Sequence, residues 1–275
     1  MNINNILDKD INSLTSEDLL SSIKYLSNRL LIELSKSDKS GIYGYTQRHL
    51  AYNSNRIEGS KLTEEQTASL FETHSIYSDD IIKSKDIEEM NGHFVMFNKM
   101  LQRLDEPLSE NIIKELHYEL KNGVFEDKAN NYNVGEYKSR ANMVGTIKTS
   151  SPVDVERHMR DLLDWYNSVE VSIYTLAIFH SRYEKIHPFQ DGNGRTGRVI
   201  LFRECLKNNI IPFIIEDSMK LKYNKALNKA QNDECFEDLV NMFKICQSLY
   251  FDIMKEFLRE FEHPLLSASR MASNK

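Results

Sequence analysis

His187-Pro188-Phe189-Gln190-Asp191-Gly192-Asn193-Gly194-Arg195-Thr196-Gly197-Arg198 decides how this chain is read. Gly192 and Gly194 flank Asn193, and glycine allows the positive φ and close backbone approach that turn successive N–H groups toward one point. An apolar, helix-length run follows (Val199, Ile200, Leu201, Phe202, Cys205, Leu206), which places this nest at a helix N-terminus, a setting that favours phosphate. Arg195 and Arg198 lie three apart on the first turn of that helix. Cations there oppose the helix dipole, and binding polyphosphate explains their presence, because guanidinium forks match phosphate oxygens. Asp191 is the carboxylate of the loop, and Mg²⁺ takes one or two carboxylates and completes its shell with water and phosphate oxygens. His187 is a proton acceptor suited to neutral pH, and Pro188 disfavours the α region at His187, so the preceding helix ends there. Phe189 is the apolar anchor of the loop.

Taken singly, a Gly-Asn-Gly is a turn, a His-Pro is a helix end, and two arginines on a helix are a solvated face. Their order and spacing in twelve residues argue for one site. The stretch resembles the signature of Fic-domain proteins, His-Pro-Phe-x-[Asp/Glu]-Gly-Asn-Gly-Arg-x-x-Arg, and matches every fixed position. The resemblance implies an all-α Fic fold, a helical bundle with a small β-hairpin flap. It implies transfer of AMP from ATP to a Ser, Thr or Tyr hydroxyl of a target protein and of the chain itself. In that reading His187 deprotonates the hydroxyl and Asp191 holds Mg²⁺ across the α- and β-phosphates. Asn193 and the backbone of Gly192 and Gly194 hold those phosphates, Arg195 contacts the β-phosphate and Arg198 the γ-phosphate. Phosphate-transferring relatives of the Doc type carry lysine where Gly194 stands, which favours AMP transfer here.

Ser54-Asn55-Arg56-Ile57-Glu58-Gly59 fits the family's inhibitory pattern, [Ser/Thr]-x-x-x-Glu-[Gly/Asn]. Ser54 and Glu58 share a helix face and Gly59 ends the helix. The resemblance implies that Glu58 pairs with Arg198 and keeps that guanidinium from the γ-phosphate. The segment from Gly135 to Ile147, with Asn142, Met143, Val144 and Gly145 at its centre, reads as a short hairpin, the flap that covers the nucleotide and pairs with the target backbone. Tyr223, Leu227 and Gln231 recur every four residues on one face; family alignment makes them base contacts, and a plain core stripe fits Tyr223 and Leu227 equally. Three outcomes stay open beside transfer: removal of AMP, use of another nucleotide donor, or a non-catalytic nucleotide-binding regulatory module. The intact His187 argues against the last.

The 275 residues allow one large domain with an extension. Composition is ordinary for a globular chain, with 28% charged and 40% hydrophobic residues. The net charge of −6 gives no bulk attraction to nucleic acid, and no apolar run is long enough to cross a membrane. Cys205, Cys235 and Cys246 lack metal-site spacing, sit in apolar helical patterns and read as reduced core residues of a cytosolic protein. Relatives often self-associate, so a homo-oligomer is expected. Five prolines and ten glycines suit long helices. We expect helices from Ser16, over about 45–58, from the Thr63 capping box, over 87–104, from Ser109 to Asn122, from Ser151-Pro152 through Trp165 with proline at the first position, and over 173–186, 194–208, about 217–231 and 234–260. Strand signal falls on the flap and on 210–215. The division expected is a helical extension over 1–40, a Fic domain over 41–260 with its inhibitory helix at about 45–59, and a flexible tail over 261–275.

Overall fold

The computed structural model describes residues 3–144 and 147–259. Twelve α-helices and one two-stranded hairpin follow in order among them: α1 (Ile3–Leu7), α2 (Ser16–Ser35), α3 (Ile42–Ile57), α4 (Glu64–Thr73), α5 (Ser84–Gln102), α6 (Glu110–Lys121), α7 (Phe125–Ala129), β1 (Met143–Val144), β2 (Ile147–Lys148), α8 (Val155–Ser168), α9 (Ile173–Ile186), α10 (Asn193–Lys207), α11 (Lys220–Asp233) and α12 (Glu237–Leu258). The architecture is all-α. β1 and β2 are antiparallel, with Met143 opposite Lys148 and Val144 opposite Ile147. The expected tail, 261–275, and Gly145 of the flap lie outside the described residues.

α10 is the centre of the bundle. Val199, Ile200, Leu201, Phe202, Cys205 and Leu206 are all buried, so the helix is apolar on nearly every side, as a helix surrounded by others must be. It packs on α9, α5, α6, α3 and α2. The hydrophobic cluster around it runs continuously from Ile6 in α1 and Leu26 and Leu30 in α2 to Leu258 in α12. α3 belongs to this core through Leu50, Ala51 and Ile57, and packs on α2, α4 and α5.

Several elements start elsewhere than the sequence pattern suggests. α3 begins at Ile42 rather than near Tyr45, because the Glu33 carboxylate accepts the Tyr43 N–H at 2.9 Å and stands in for the side-chain cap that Gly41 lacks. α5 begins at Ser84, three residues early. α8 begins at Val155, not at Ser151-Pro152: Asp154 N–H donates to the Ser151 carbonyl at 3.0 Å and the Ser151 hydroxyl to the Asp154 carboxylate at 2.6 Å, so the proline sits in a turn before the helix. The segment 210–215 is not a strand. It is a buried connector whose Ile211 carbonyl accepts from Gln247 at 2.7 Å and whose Phe213 ring lies 4.5 Å from Phe243 of α12. The short helices α1 and α7 have no counterpart in the sequence reading.

Arg203 of α10 closes the end of α5. It is fully buried, pairs with Glu204, and donates to the carbonyls of Arg103, at 2.6 Å, and Glu106. Glu204 in turn accepts the Tyr166 hydroxyl at 2.7 Å. Removing the guanidinium leaves a buried carboxylate without its cation and two carbonyls without their donor. Arg203→Ala is therefore expected to cost about 3–5 kcal/mol of stability. Urea unfolding checks it, and a loss under about 1 kcal/mol would show that water reaches these groups.

Candidate active site

The site forms where α9 ends and α10 begins. His187 caps α9 in the left-handed region, φ 52°, with its N–H on the Tyr183 carbonyl at 2.9 Å, and Pro188 carries the chain away. Phe189 is fully buried and stacks flat on His117 of α6, ring centroids 3.8 Å apart. His117 Nδ1 accepts the Gly135 N–H at 3.0 Å and Nε2 donates to the Asp191 carbonyl at 2.9 Å, which fixes one neutral tautomer. Burial pushes that imidazole down to about 3, in keeping with those roles. The Asn193 side chain is spent inside the loop, donating to the Phe189 carbonyl and accepting its N–H, both at 2.8 Å. What Asn193 can offer an anion is its backbone. Gly192, φ 82°, caps α10, and the amides of that first turn have no intrahelical acceptor.

Beneath the loop lies a buried charge network. Lys121 of α6 meets Glu89 of α5 at 2.5 Å, Asp191 at 2.8 Å and Asp127 at 2.9 Å. Arg195 pairs with Glu89, lies 3.5 Å from Asp191, and donates to Asn55 of α3 at 3.2 Å. Burial would raise the Asp191 carboxyl, but Arg195, Lys121 and Lys85 outweigh it and drive it far below the usual carboxylate range. About a third of the Asp191 side chain is exposed, so an ionised carboxylate sits part-open to the surface on a network that holds it in place.

Arg198 points the other way, toward α3. Its Nε donates to the Ser54 hydroxyl at 2.9 Å and its Nη2 to the Ser54 carbonyl at 3.0 Å and the Glu58 carboxylate at 2.7 Å. Burial would raise the Glu58 carboxyl, but Arg198 and Arg195 hold it below its usual value. Glu58 is the C-cap of α3, and Gly59, φ 102°, turns the chain away behind it. Gly194 makes room for the pair: a Cβ there would overlap the Glu58 carboxylate and crowd Arg198.

Glu58, Arg198, Gly194 and His187 line a cleft of about 500 Å³, joined by Glu184 of α9, Ile147 of the flap, and Tyr223, Asn224, Leu227, Asn228 and Gln231 of α11. Tyr223 is buried with its hydroxyl 2.7 Å from His180 Nε2, and Gln231 donates to the Ser181 carbonyl at 3.4 Å. Burial, reinforced by Lys138, pushes His187 down to about 4, so it is neutral at physiological pH. In the flap, Asn142 is an anchor: its side chain donates to the Phe189 carbonyl at 3.0 Å and accepts from Lys138 at 2.7 Å. Met143 is exposed.

Residues 107–204, which hold α6, the flap and the whole loop through most of α10, match the Fic/DOC family. Over those residues the chain is similar to that family. It is 27% identical over 188 residues to the protein adenylyltransferase Fic of Nematostella vectensis, covering 66% of this chain and 43% of that protein. With the protein of the same name from Aedes aegypti it shares 25% over 219 residues, 78% of this chain and 43% of that one. The chain thus spans less than half the length of these curated relatives. A solved Fic-domain-containing signaling protein from Bacteroides thetaiotaomicron superposes with a TM-score of 0.69 at 26% identity, over 88% of this chain and 95% of that one. Fic-1 of Caenorhabditis elegans, at 19% identity and TM-score 0.65, shares the fold.

Around the Fic loop, sequence reasoning missed Glu89, His117, Lys121, Asn55 and Glu184. Only Glu184 carried a local signal, three residues before His187 on the same helix.

Proposed function

We propose that this chain is a protein adenylyltransferase that moves AMP from ATP to a Ser, Thr or Tyr hydroxyl and is restrained by Glu58. The observation that carries this reading is a neutral His187 lining a cleft beside Arg198 and the first turn of α10, with the names of the curated relatives in support. The triphosphate lies across the first turn of α10, with Arg198 as its outer cation and the base between the flap and Tyr223, Leu227 and Gln231. His187 takes the hydroxyl proton as the oxygen bonds to the α-phosphorus. The bond from that phosphorus to the bridging oxygen breaks, and pyrophosphate leaves with the electron pair. Catalysis comes from positioning and charge stabilisation. Arg195, locked on Glu89 and Asn55, acts as a fixed positive charge beneath the phosphates.

The residues fit Mg²⁺ when ATP accompanies it. Asp191 offers an ionised, part-exposed oxygen, but Lys121 and Arg195 already face it, and among the described residues no three ligating side chains gather. One carboxylate suits an ion whose remaining ligands are phosphate oxygens and water, and the ion would offset phosphate charge. Asp191→Ala is therefore expected to abolish the gain in ATP affinity that Mg²⁺ brings. Calorimetric titration of ATP with and without Mg²⁺ checks it; an undiminished gain in the variant places the ion elsewhere.

The founding experiment is incubation of the Glu58→Gly protein with labelled ATP, Mg²⁺ and cell lysate. Labelled protein bands with pyrophosphate release support transfer. Loss of AMP from a pre-labelled target, or labelling by another nucleotide alone, would redirect the reading. A cytoplasmic location agrees with three free cysteines, and among the described residues no helix is long and apolar enough to cross a membrane. Self-association is proposed on the habit of relatives alone.

A further inference from the structure

Glu184 is unexplained by the reaction as drawn. It is buried on the last turn of α9, lines the cleft, and among the described residues its Oε1 has no hydrogen-bond partner. His187 Nδ1 is likewise buried and unpartnered, 3.8 Å from Glu184 Oε2. The unpartnered Nδ1 thus faces the Oε2 side of a carboxyl whose other oxygen is unpartnered, across a gap that one small adjustment closes. Buried polar groups left without partners are costly, so such groups call for a role. Gly197 lets the carboxyl sit there, since a Cβ at that position would stand 2.7 Å from Oε1. Catalytic hydrogen bonds are often long before substrate arrives.

We propose that Glu184 is a positioning residue for His187: its carboxylate accepts the Nδ1 proton in a hydrogen bond, leaving Nε2 as the nitrogen that faces the target hydroxyl. The inference rests on the proposed transfer reaction. It supplies what that reaction needs, because a buried imidazole is a weak base and an anion behind it stabilises the imidazolium as the hydroxyl proton arrives. It also ties the base to Glu58. The charged and titratable groups around Glu184 are Arg198 from α10, Glu58 from α3, His180, Tyr183 and His187 from α9, and Tyr223 from α11. Burial pushes Glu184 up to about 8, Arg198 pulls it down, and the Glu58 charge pushes it up again. With Glu58 in place Glu184 is mostly protonated at neutral pH and gives His187 no anion. When Glu58 leaves, Arg198 is uncompensated, the Glu184 midpoint falls, and the carboxylate forms behind the base. One contact then governs both the γ-phosphate site and the strength of the base.

The test has two arms. In the free protein, the ¹⁵N resonances of the His187 ring are followed from pH 6 to pH 10. A step with a midpoint near pH 8 is expected, lower in Glu58→Gly and absent in Glu184→Gln, which keeps the shape of the neutral acid. In the second arm, kcat/KM of Glu58→Gly rises through that midpoint, and adding Glu184→Gln removes the rise. The loss is about ten- to a hundredfold at pH 9, smaller at pH 6, with ATP affinity unchanged. Gly197→Ala, which displaces the carboxyl without removing it, should also abolish the ¹⁵N step. Identical ring titrations in Glu184→Gln and the parent overturn the inference and leave the Glu184 backbone carbonyl, the other acceptor near the ring, as the partner. A ¹⁵N step in a protein that labels no target in any variant sustains the pairing and removes the transfer reaction instead.

Discussion

Glu58→Gly is expected to raise AMP transfer roughly ten- to a hundredfold, in self-labelling and on lysate proteins alike. Arg198 is buried, and its Nη2 is divided between Glu58 and the Ser54 carbonyl. Without Glu58 the guanidinium keeps its hold on Ser54 and turns its uncompensated charge to the cleft. The Glu58 side is 37% exposed and so partly screened, which puts the pair between surface pairs worth about 0–1 kcal/mol and buried ones worth about 3–5. A difference of about 1.4–2.8 kcal/mol between two ATP poses is one to two powers of ten. Adding Arg198→Ala should return the rate toward that of the unsubstituted chain, because the freed arginine is what does the binding. No gain in labelling across targets and metals would end the idea. Acid is a poor release: Arg198 and Arg195 hold Glu58 below its usual value, so the pair is intact throughout the neutral range and is lost only as pH falls through that lowered value.

His187→Ala should lower transfer by about 10²–10⁴-fold, measured in the Glu58→Gly background, and leave ATP binding close to that of the parent. The asymmetry follows from position. In the proposed reaction the phosphates are held by α10, Arg198 and the network around Asp191, whereas His187 acts on the incoming hydroxyl. Its value of about 4 means the free base is present from roughly pH 5 upward, so a change in rate between pH 6 and 9 has to come from another group. Calorimetry showing that the folded variant no longer binds ATP would make His187 a binding residue and refute its assignment as the base.

The loop was legible because its chemistry is contiguous: acid, base, nest and both arginines fall within twelve residues, and α9 is bounded by a Ser172 cap and Pro188. What supports the loop was not. Lys121 finds Glu89 32 residues before it and Asp191 70 after it, and on the sequence each looks like one more solvated charge on an amphipathic helix. His117 under Phe189 is a single ring on a core face. The segment 210–215 shows the limit of periodicity, since a short apolar run buried under α12 has the same pattern as a strand. Ser151 misled because its hydroxyl caps in a turn as readily as at a helix start.

α3 is fastened along its whole length. Thr46 shares a hydrogen bond with Tyr250 at 2.7 Å, Gln47 donates to the Phe94 carbonyl at 2.6 Å, and Asn55 accepts from Arg195 of α10 at 3.2 Å, while Leu50 and Ala51 are core. Glu58 stands one residue beyond this anchored stem. In the proposed reaction a carboxylate so mounted acts as a competitive inhibitor tethered at a fixed effective concentration. It opens by rotating a side chain, a motion of picoseconds to nanoseconds, with no helix to dislodge. Such a restraint never reaches full closure, and it yields in proportion to the nucleotide competing for Arg198. On that proposal, resting transfer by this protein tracks the ATP concentration around it.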